Sequence, residues 1–193
     1  ITCQDYYLYE PGSVMSGTGT PYQKFTPYYR KVLPVSVPLP TTLRKYKIVD
    51  KLMKTKHTTT IKTISQSFPI NFQRDIKGGR KNALKMLRKL MSFSNYGDKR
   101  NDLSSSTTKL SAFIKFGNVS IREVYHQISD KLGKNSDLLR QLIWRDFYAQ
   151  LLFENPHVLG KSLKPKYDDI KWNKNLVLLN AWKNGHTGFP VVD

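Results

Sequence analysis

Cysteine is nearly absent from this chain, and so are long apolar runs. The 193 residues contain one cysteine, Cys3, which excludes an internal disulfide framework and a zinc site built on cysteines. No apolar run reaches the roughly 18 residues that a membrane-spanning helix needs. The composition therefore favours a reducing compartment and predicts no membrane partner.

Acidic residues are scarce relative to basic ones. Aspartate and glutamate number 14 against 32 lysines and arginines, so the formal net charge is +18. Such an excess makes a polyanion the expected partner, and nucleic acid foremost. A ribosomal-type or merely soluble basic protein is the alternative at this point. The apolar fraction of 39% is enough for a hydrophobic core.

Metal-binding patterns and a secretory signal are also missing. The spacing of the histidines suits no metal site, so we expect surface or loop imidazoles at His57, His126, His157 and His186. Paired-carboxylate, Ser/His/Asp and phosphate-loop motifs do not occur, and no catalytic residue is predicted. The chain begins Ile1-Thr2-Cys3 without methionine, which predicts an internal cut.

Three segments are predicted from the local patterns. Residues 1–30 have the pattern of strand and loop, with the strand at Tyr6-Tyr7-Leu8-Tyr9. Residues 31–77 are basic and punctuated by prolines, which is typical of a connector. Residues 78–193 carry helical periodicity, so the predicted fold class is mostly α.

Capping residues mark the predicted helices. Ser120 with Glu123 three residues later is the pattern of a capping box, and Ser136 is a second N-cap candidate. Asn155-Pro156 is expected to end the helix that Ser136 begins. The predicted helices cover about 83–90, 120–132, 136–153 and 176–182.

A hydroxyl-rich run stands before one apolar stretch, at Thr107-Thr108-Lys109-Leu110-Ser111. Hydroxyl donors, free backbone N–H groups and one ammonium are the chemistry that a phosphate or pyrophosphate needs. Such runs are more often plain helix caps and loops, so the pattern by itself leaves both interpretations open.

Two stripes share the predicted helix 136–153. The first consists of Gln141, Trp144, Arg145 and Tyr148, and the second of Leu139, Ile143, Phe147 and Leu151. The second is the expected core face. An aromatic stripe at helical spacing is more often core than a binding surface, but Gln141 and Arg145 would need polar partners if buried.

Several motifs, taken in order, resemble the DNA photolyase/cryptochrome family, and its class I-like photolyases in particular. The chain contains P-G-S-V at 11–14, P-Y-Q-K-F-T-P-Y-Y-R at 21–30, T-T-K-L-S-A at 107–112, K-F-G-N-V-S-I-R at 115–122, Q-L-I-W-R-D-F-Y at 141–148 and W-K-N-G-H-T-G-F-P-V-V-D at 182–193. Their order is similar to that of the family along nearly the whole chain.

The resemblance implies a binding site for FAD. The hydroxyl-rich run would hold the pyrophosphate, a tyrosine would pack against the nucleotide, and an arginine would lie near the flavin. The implied cofactor residues are Tyr96, Thr107, Thr108, Lys109, Leu110, Ser111 and Arg145. An antenna chromophore of the folate or deazaflavin type would lie in a preceding domain.

The resemblance also implies a DNA substrate. Trp144 would stack on an extruded pyrimidine dimer, Tyr148 would line the same pocket or contact the backbone, and Arg100 would lie near the DNA backbone. Gln141 replaces the glutamate usual in cyclobutane-dimer photolyases and is similar to the (6-4) photolyase and animal cryptochrome branch. Leu138 stands where several bacterial photolyases have a tryptophan.

The implied function is light-driven repair of pyrimidine dimers in double-stranded DNA, with reduced FAD as the electron donor, inside the cell wherever the DNA lies. A cryptochrome-like blue-light receptor and a non-catalytic DNA-binding fragment of a split or decayed photolyase stay open as alternatives. Relative to the family, residues 1–30 would end the antenna domain, 31–77 would be the linker, and 78–193 would be the first half of the FAD-binding domain. We expect the segment alone to be inactive, and a complementary half on another chain is a candidate partner.

Overall fold

The chain folds into helices joined by loops. The computed structural model describes residues 6–41, 59–67 and 76–193. Its α-helices are α1 (Phe25–Val32), α2 (Ile61–Ser67), α3 (Arg80–Arg88), α4 (Tyr96–Lys99), α5 (Leu110–Lys115), α6 (Ile121–Leu132), α7 (Asp137–Glu154) and α8 (Leu176–Lys183), and its 3₁₀ helices are Leu90–Phe93, Pro156–Leu159 and Pro165–Tyr167. No strand forms within these residues, and the prediction of a mostly α fold is confirmed. Among the described helices, none is long and apolar enough to cross a membrane.

Two parts of the chain form separate compact units. They cover Ile1–Glu154 and Asn155–Asp193. Cys3, His57 and most of the predicted connector 31–77 lie outside the described residues, so what the sequence predicts for them stays a prediction.

The first unit is built around α7. This helix packs against α1, α4 and α6, while α3 packs against α5. Of the predicted core stripe, Leu139, Ile143 and Phe147 are buried and Leu151 is partly buried. Burial of each such side chain contributes roughly 1.5–3 kcal/mol, so this face of α7 is a main source of stability.

Serine caps start the two long helices as predicted. Ser120 Oγ accepts a hydrogen bond from the Arg122 backbone N–H at 3.2 Å at the start of α6. Ser136 Oγ accepts one from the Leu139 N–H at 3.4 Å at the start of α7. Each bond satisfies a backbone donor that has no partner within its own helix. The sequence therefore located both helix starts correctly.

Glu123, predicted to face the Ser120 cap, also connects two helices. Its two carboxylate oxygens accept hydrogen bonds from Arg80 Nη1 and Nη2 at 2.9 and 3.0 Å. Arg80 opens α3, so this paired contact ties the start of α3 to the first turn of α6.

The predicted strand at Tyr6–Tyr9 is wrong. This segment bends and pairs with no strand among the described residues. The N–H groups of Leu8 and Tyr9 donate to Asp146 Oδ2 at 2.7 and 3.0 Å. One turn later on α7, Gln150 accepts from the Gly12 N–H at 2.7 Å. Because side chains of α7 satisfy these donors, the segment does not need a β partner.

Helix α1 lies in the segment that was predicted to be strand and loop. Pro27 occupies its first turn, where a helix tolerates proline because the first N–H groups have no intrahelical partner. Phe25, Tyr28 and Val32 are buried at helical spacing. The flanking prolines and turn residues hid this short periodicity from sequence reasoning.

The first residues of the predicted connector, which the structure describes as far as residue 41, pack against α6. Val37 is buried, and the carbonyl oxygens of Val37 and Pro38 lie 3.1 and 3.2 Å from His126 Nε2. Because both neighbours are acceptors, this ring nitrogen carries a proton and donates. The expectation of a surface or loop imidazole is wrong for His126, which lies on α6 and is half-buried.

The second unit contains α8 and the turn at the end of the sequence. Asn175 caps α8, since its side chain accepts from the N–H groups of the second and third helical residues. Asp193 closes the turn by accepting from the Thr187 N–H and hydroxyl and from the Gly188 N–H at 2.6–2.9 Å. These bonds, the Thr187 hydroxyl first among them, hold the pKa of the Asp193 carboxyl below its usual range. The closing motif therefore has a local structural role.

Alanine substitution at three glycines before α1 is expected to lower stability to three different degrees. Gly12 has φ +83° and a Cβ there would lie 2.6 Å from Phe153 Cε1, whereas Gly19 has φ +71° with open space around it. Gly17 has neither constraint. Alanine should lower the free energy of unfolding by about 2 kcal/mol at Gly12, about 1 kcal/mol at Gly19 and less than about 0.5 kcal/mol at Gly17. Urea unfolding measures all three, and equal effects would contradict the structure.

Candidate cofactor and nucleic-acid site

A cavity of about 300 Å³ lies in the first unit between α4, α5, α6 and α7. Eight of the eleven predicted site residues line it: Tyr96, Thr107, Thr108, Lys109, Leu110, Ser111, Gln141 and Arg145. Apolar side chains complete the wall: Ile114, Ile128, Leu138 and Leu142. A mostly apolar cavity with a few convergent polar groups is typical of a small-molecule site.

The hydroxyl-rich run forms a turn at the rim of this cavity. Thr108 is buried, and its Oγ1 accepts from the Leu110 N–H at 3.4 Å. Lys109 has φ +51°, the one positive φ of a non-glycine residue in the described parts of the chain. A left-handed lysine costs of order 1 kcal/mol and is found mainly at functional sites. The turn brings hydroxyl, ammonium and backbone donors to one rim.

Two side chains of α7 that line this cavity each contain a buried donor without a partner in the described chain. Gln141 Nε2 and Arg145 Nη2 have no hydrogen-bond partner among the residues that the structure describes. They lie four residues apart, so they share one face of the helix. An unsatisfied buried donor costs roughly 1–3 kcal/mol, which a bound acceptor would recover. The polar half of the predicted stripe therefore points to a ligand.

The other terminal nitrogen of the Arg145 guanidinium, Nη1, is held by hydrogen bonds. It donates to the Tyr6 carbonyl oxygen at 2.8 Å and to Asp146 Oδ1 at 3.3 Å. The central carbon of the guanidinium lies 4.3 Å from the ring centre of Tyr6 and 5.3 Å from that of Tyr7. Stacking on aromatic rings orients the planar fork of an arginine.

Asp146 is a buried residue whose role sequence reasoning missed. Its side chain has no exposed surface, and burial raises the pKa of its carboxyl to about 6, against the lowering effect of the Tyr9 N–H, Arg145 and the Leu8 N–H. The signal was available in the spacing of the core stripe. Asp146 follows Ile143 by three residues and so lies on the core face of α7. A carboxylate on that face needs donors, and segment 6–9 provides them.

Trp144 and Tyr148 lie outside the cavity wall. The Trp144 ring stacks on Phe25 of α1, with centroids 3.6 Å apart and planes 7° apart. Tyr148 stacks on Trp144 at 5.5 Å and is 60% exposed. Arg140 lies 5.6 Å from the Phe25 ring centre. These rings form an aromatic surface with a cation beside it, which is the kind of platform on which bases stack.

Arg100 lies at a smaller depression beside the cavity. This depression, of about 130 Å³, shares Tyr96 and Thr107 with the cavity wall. Lys99 lines it as well, a residue that sequence reasoning did not select. Two exposed cations next to hydroxyl groups can bind phosphate oxygens.

Comparison with known proteins gives consistent matches. The family model described as the FAD binding domain of DNA photolyase matches residues 138–193. The deoxyribodipyrimidine photo-lyase of Alkalihalophilus pseudofirmus is 32% identical over 207 residues, covering all of this chain and 42% of that protein. The corresponding protein of Halobacterium salinarum is 28% identical over 98% of this chain and 42% of its own length. The (6-4)DNA photolyase of Oryza sativa is 33% identical over 61% of this chain and 24% of its own length.

A solved structure has the same fold. The class III photolyase of Agrobacterium tumefaciens superposes with a TM-score of 0.77, over 97% of this chain and 42% of that one, at 23% identity. The chain thus spans about two-fifths of the length of these relatives. The sequence and fold matches agree along its whole length, so the chain resembles the DNA photolyase family over the part of those proteins that it spans.

Proposed function

We propose that this chain is part of a light-dependent DNA repair enzyme that acts on pyrimidine dimers and uses reduced FAD as the electron donor. The observation that carries the proposal is the cavity, which the hydroxyl-rich run of Thr107–Ser111 lines together with the polar side chains of Gln141 and Arg145. The printed names of the relatives support the reaction class, and the family match at 138–193 supports FAD. The domain boundaries given above, at 30 and 77, belong to this proposal.

The residues present fit a flavin dinucleotide. FAD carries phosphate oxygens, hydroxyls and ring carbonyls, all of which can accept from Gln141 Nε2 and Arg145 Nη2. The cavity of about 300 Å³ lies at the low end of the range of about 300–1,000 Å³ for ligand pockets. It therefore holds part of such a molecule, and a second polypeptide segment would enclose the rest.

Each group of residues has a distinct task at this site. The pyrophosphate is bound by the hydroxyls of Thr107, Thr108 and Ser111 and by the Lys109 ammonium. Arg145 donates a charge-assisted hydrogen bond to the cofactor. Tyr96 packs against the nucleotide. When bound, reduced FAD would supply an electron to the dimer after excitation by light and would take it back once the dimer has split. The protein's share is to bind and orient the cofactor and to exclude water.

The basic surface supplies contacts for binding DNA. The net charge of +18 attracts the phosphate backbone, with Arg100 and Lys99 among the contacts beside the cavity. Trp144 and Tyr148 supply the rings against which a flipped base stacks. Gln141 offers an amide instead of a carboxylic acid, so it can hydrogen-bond a base edge but has no acidic proton to donate, and both a cyclobutane dimer and a (6-4) photoproduct stay open as the lesion.

FAD binding tests the proposal. After incubation with FAD and desalting, the full chain, alone or with a polypeptide supplying the rest of the FAD-binding domain, should retain flavin absorbance. Arg145→Leu should raise the dissociation constant about tenfold to a hundredfold, because it removes hydrogen bonds from a charged donor, and Gln141→Leu about threefold to tenfold. Arg88→Leu, an exposed arginine on α3 away from the cavity, is the matched control and should have no effect.

Two other outcomes favour the alternatives. Salt-sensitive DNA binding with no retained flavin in either mixture would support a non-catalytic DNA-binding fragment. Retained flavin without repair of irradiated DNA under blue light would support a cryptochrome-like receptor, the alternative that Gln141 suggests. The expected result is that irradiated DNA is repaired under blue light and that the control variant Arg88→Leu repairs it as well as the parent does.

A further inference from the structure

Asp146 lies where the cavity wall meets the N-terminal segment. Its Oδ2 accepts from the Leu8 and Tyr9 N–H groups at 2.7 and 3.0 Å, and its Oδ1 faces Arg145 Nη1 at 3.3 Å. We infer that Asp146 is a positioning residue that fixes the Arg145 guanidinium at the cavity wall by two routes. The inference rests on the proposed function only in the choice of FAD as the ligand.

The first route is direct. Two backbone donors on Oδ2 fix the plane of the carboxylate, so Oδ1 stays directed at Arg145. The ionised oxygen then holds Nη1 by a charge-assisted contact, at 3.3 Å. With Nη1 held, Nη2 stays buried without a hydrogen-bond partner in the described part of the chain, on a side chain that lines the cavity. The carboxylate thereby leaves one donor of the fork available for a ligand.

The second route runs through the backbone of segment 6–9. Because Asp146 holds Leu8 and Tyr9, it also restrains Tyr6, whose carbonyl oxygen accepts from Arg145 Nη1 at 2.8 Å. The Tyr6 ring lies against the same guanidinium, and the Tyr9 hydroxyl anchors the segment to α1 by donating to the Val32 carbonyl at 3.1 Å. The segment therefore supports a cavity that it does not line.

The position of Asp146 fits a role in orientation better than a role in stability. A carboxylate with no exposed surface loses its hydration, so keeping it ionised costs stability even with three hydrogen-bond donors around it. An apolar side chain would avoid that cost but would leave the Leu8 and Tyr9 N–H groups without an acceptor, and a neutral amide has only one acceptor oxygen. What only the carboxylate provides is a second acceptor oxygen, which is directed at Arg145.

Arginine side-chain NMR tests the inference without any ligand. In the full chain labelled with ¹⁵N-arginine, rotation of the Arg145 guanidinium should be slow. Asp146→Asn can keep its carbonyl toward Leu8 and Tyr9, but its amide group then faces Arg145 Nη1, donor against donor. We expect at least about threefold faster rotation in this variant, and at least about tenfold in Asp146→Ala, which loses both routes. Asp130→Asn, an exposed carboxylate on α6, is the control and should match the parent.

FAD affinity is the second reading on the same variants. The dissociation constant for FAD should rise in the same order, by at least about threefold for Asp146→Asn. The urea midpoint of Asp146→Asn at pH 7 should be unchanged or higher than that of the parent. Parental rotation and parental affinity in Asp146→Asn would overturn the inference, and so would an affinity loss accompanied by a lower midpoint. If the parent binds no FAD, the proposed function fails, and the rotation measurement still decides the role of Asp146.

Discussion

Replacing Phe147 by alanine is expected to lower the free energy of unfolding by about 3–5 kcal/mol. Its side chain is 4% exposed and its ring contacts those of Phe25, Tyr28, Trp144 and Tyr148, with centroids 5.4–5.8 Å apart. Alanine would leave a cavity between α1 and α7 that the surrounding rings cannot fill without leaving their rotamers. Urea unfolding followed by circular dichroism measures the loss.

Phe116 offers a matched control for this substitution. It is 80% exposed, and Phe116→Ala removes the same atoms from water-facing surface. We expect a change below about 0.5 kcal/mol. A loss at Phe147 no larger than that at Phe116 would show that the rings of α1 and α7 do not form the packed contact described here. Such a result would also mean that Phe147 does not hold the Trp144 ring, which it contacts edge-on, in place against Phe25.

The second large effect is a pH dependence of stability at Asp146. Burial raises the pKa of this carboxyl from 3.8 to about 6 in the folded chain. Because the folded state binds the proton more tightly, the contribution of Asp146 to the free energy of unfolding is fully present below about pH 3 and is lost progressively as pH rises through about 6. A shift of about two units corresponds to roughly 3 kcal/mol. Above pH 7 both states are ionised and the contribution is constant.

Comparison with Asp146→Asn isolates this contribution from every other titrating group. The free energy of unfolding of the parent minus that of the variant should fall by about 3 kcal/mol between about pH 3 and pH 7, most steeply between pH 4 and pH 6, and stay flat above pH 7. The groups that face this carboxylate are Arg145, and Tyr9 and Tyr28, whose pKa burial raises above the ordinary range. A difference that rises with pH, or does not vary, would contradict a destabilised buried carboxylate.

Local chemistry was readable from the sequence wherever a single element contained it. The serine caps at Ser120 and Ser136 and the end of α7 before Pro156 were predicted correctly, because each depends on residues within one turn. The buried stripe of Leu139, Ile143 and Phe147 followed from helical spacing alone.

Long-range partners were not readable in this way. Tyr6–Tyr9 has the composition of a strand, yet its donors bind Asp146, more than 130 residues later. His126 looked like a surface imidazole, but it bonds carbonyls of a segment whose path depends on the packed core. The partner of a polar group in both cases lies on another element, and spacing along one element does not predict it.

The sequence by itself determined the two long helices α6 and α7 with their serine caps, the core face of α7, the net basic charge and the ordered motifs of the family, because these depend on neighbouring residues or on composition. Only the tertiary structure decided which of the candidate residues meet. It joined Tyr96, the run at 107–111, Gln141 and Arg145 in one cavity, and it placed Trp144 on Phe25, outside that cavity's wall. It also assigned Asp146 to the support of Arg145. Such contacts arise when separate helices pack against one core, and packing depends on the shapes of all of them at once.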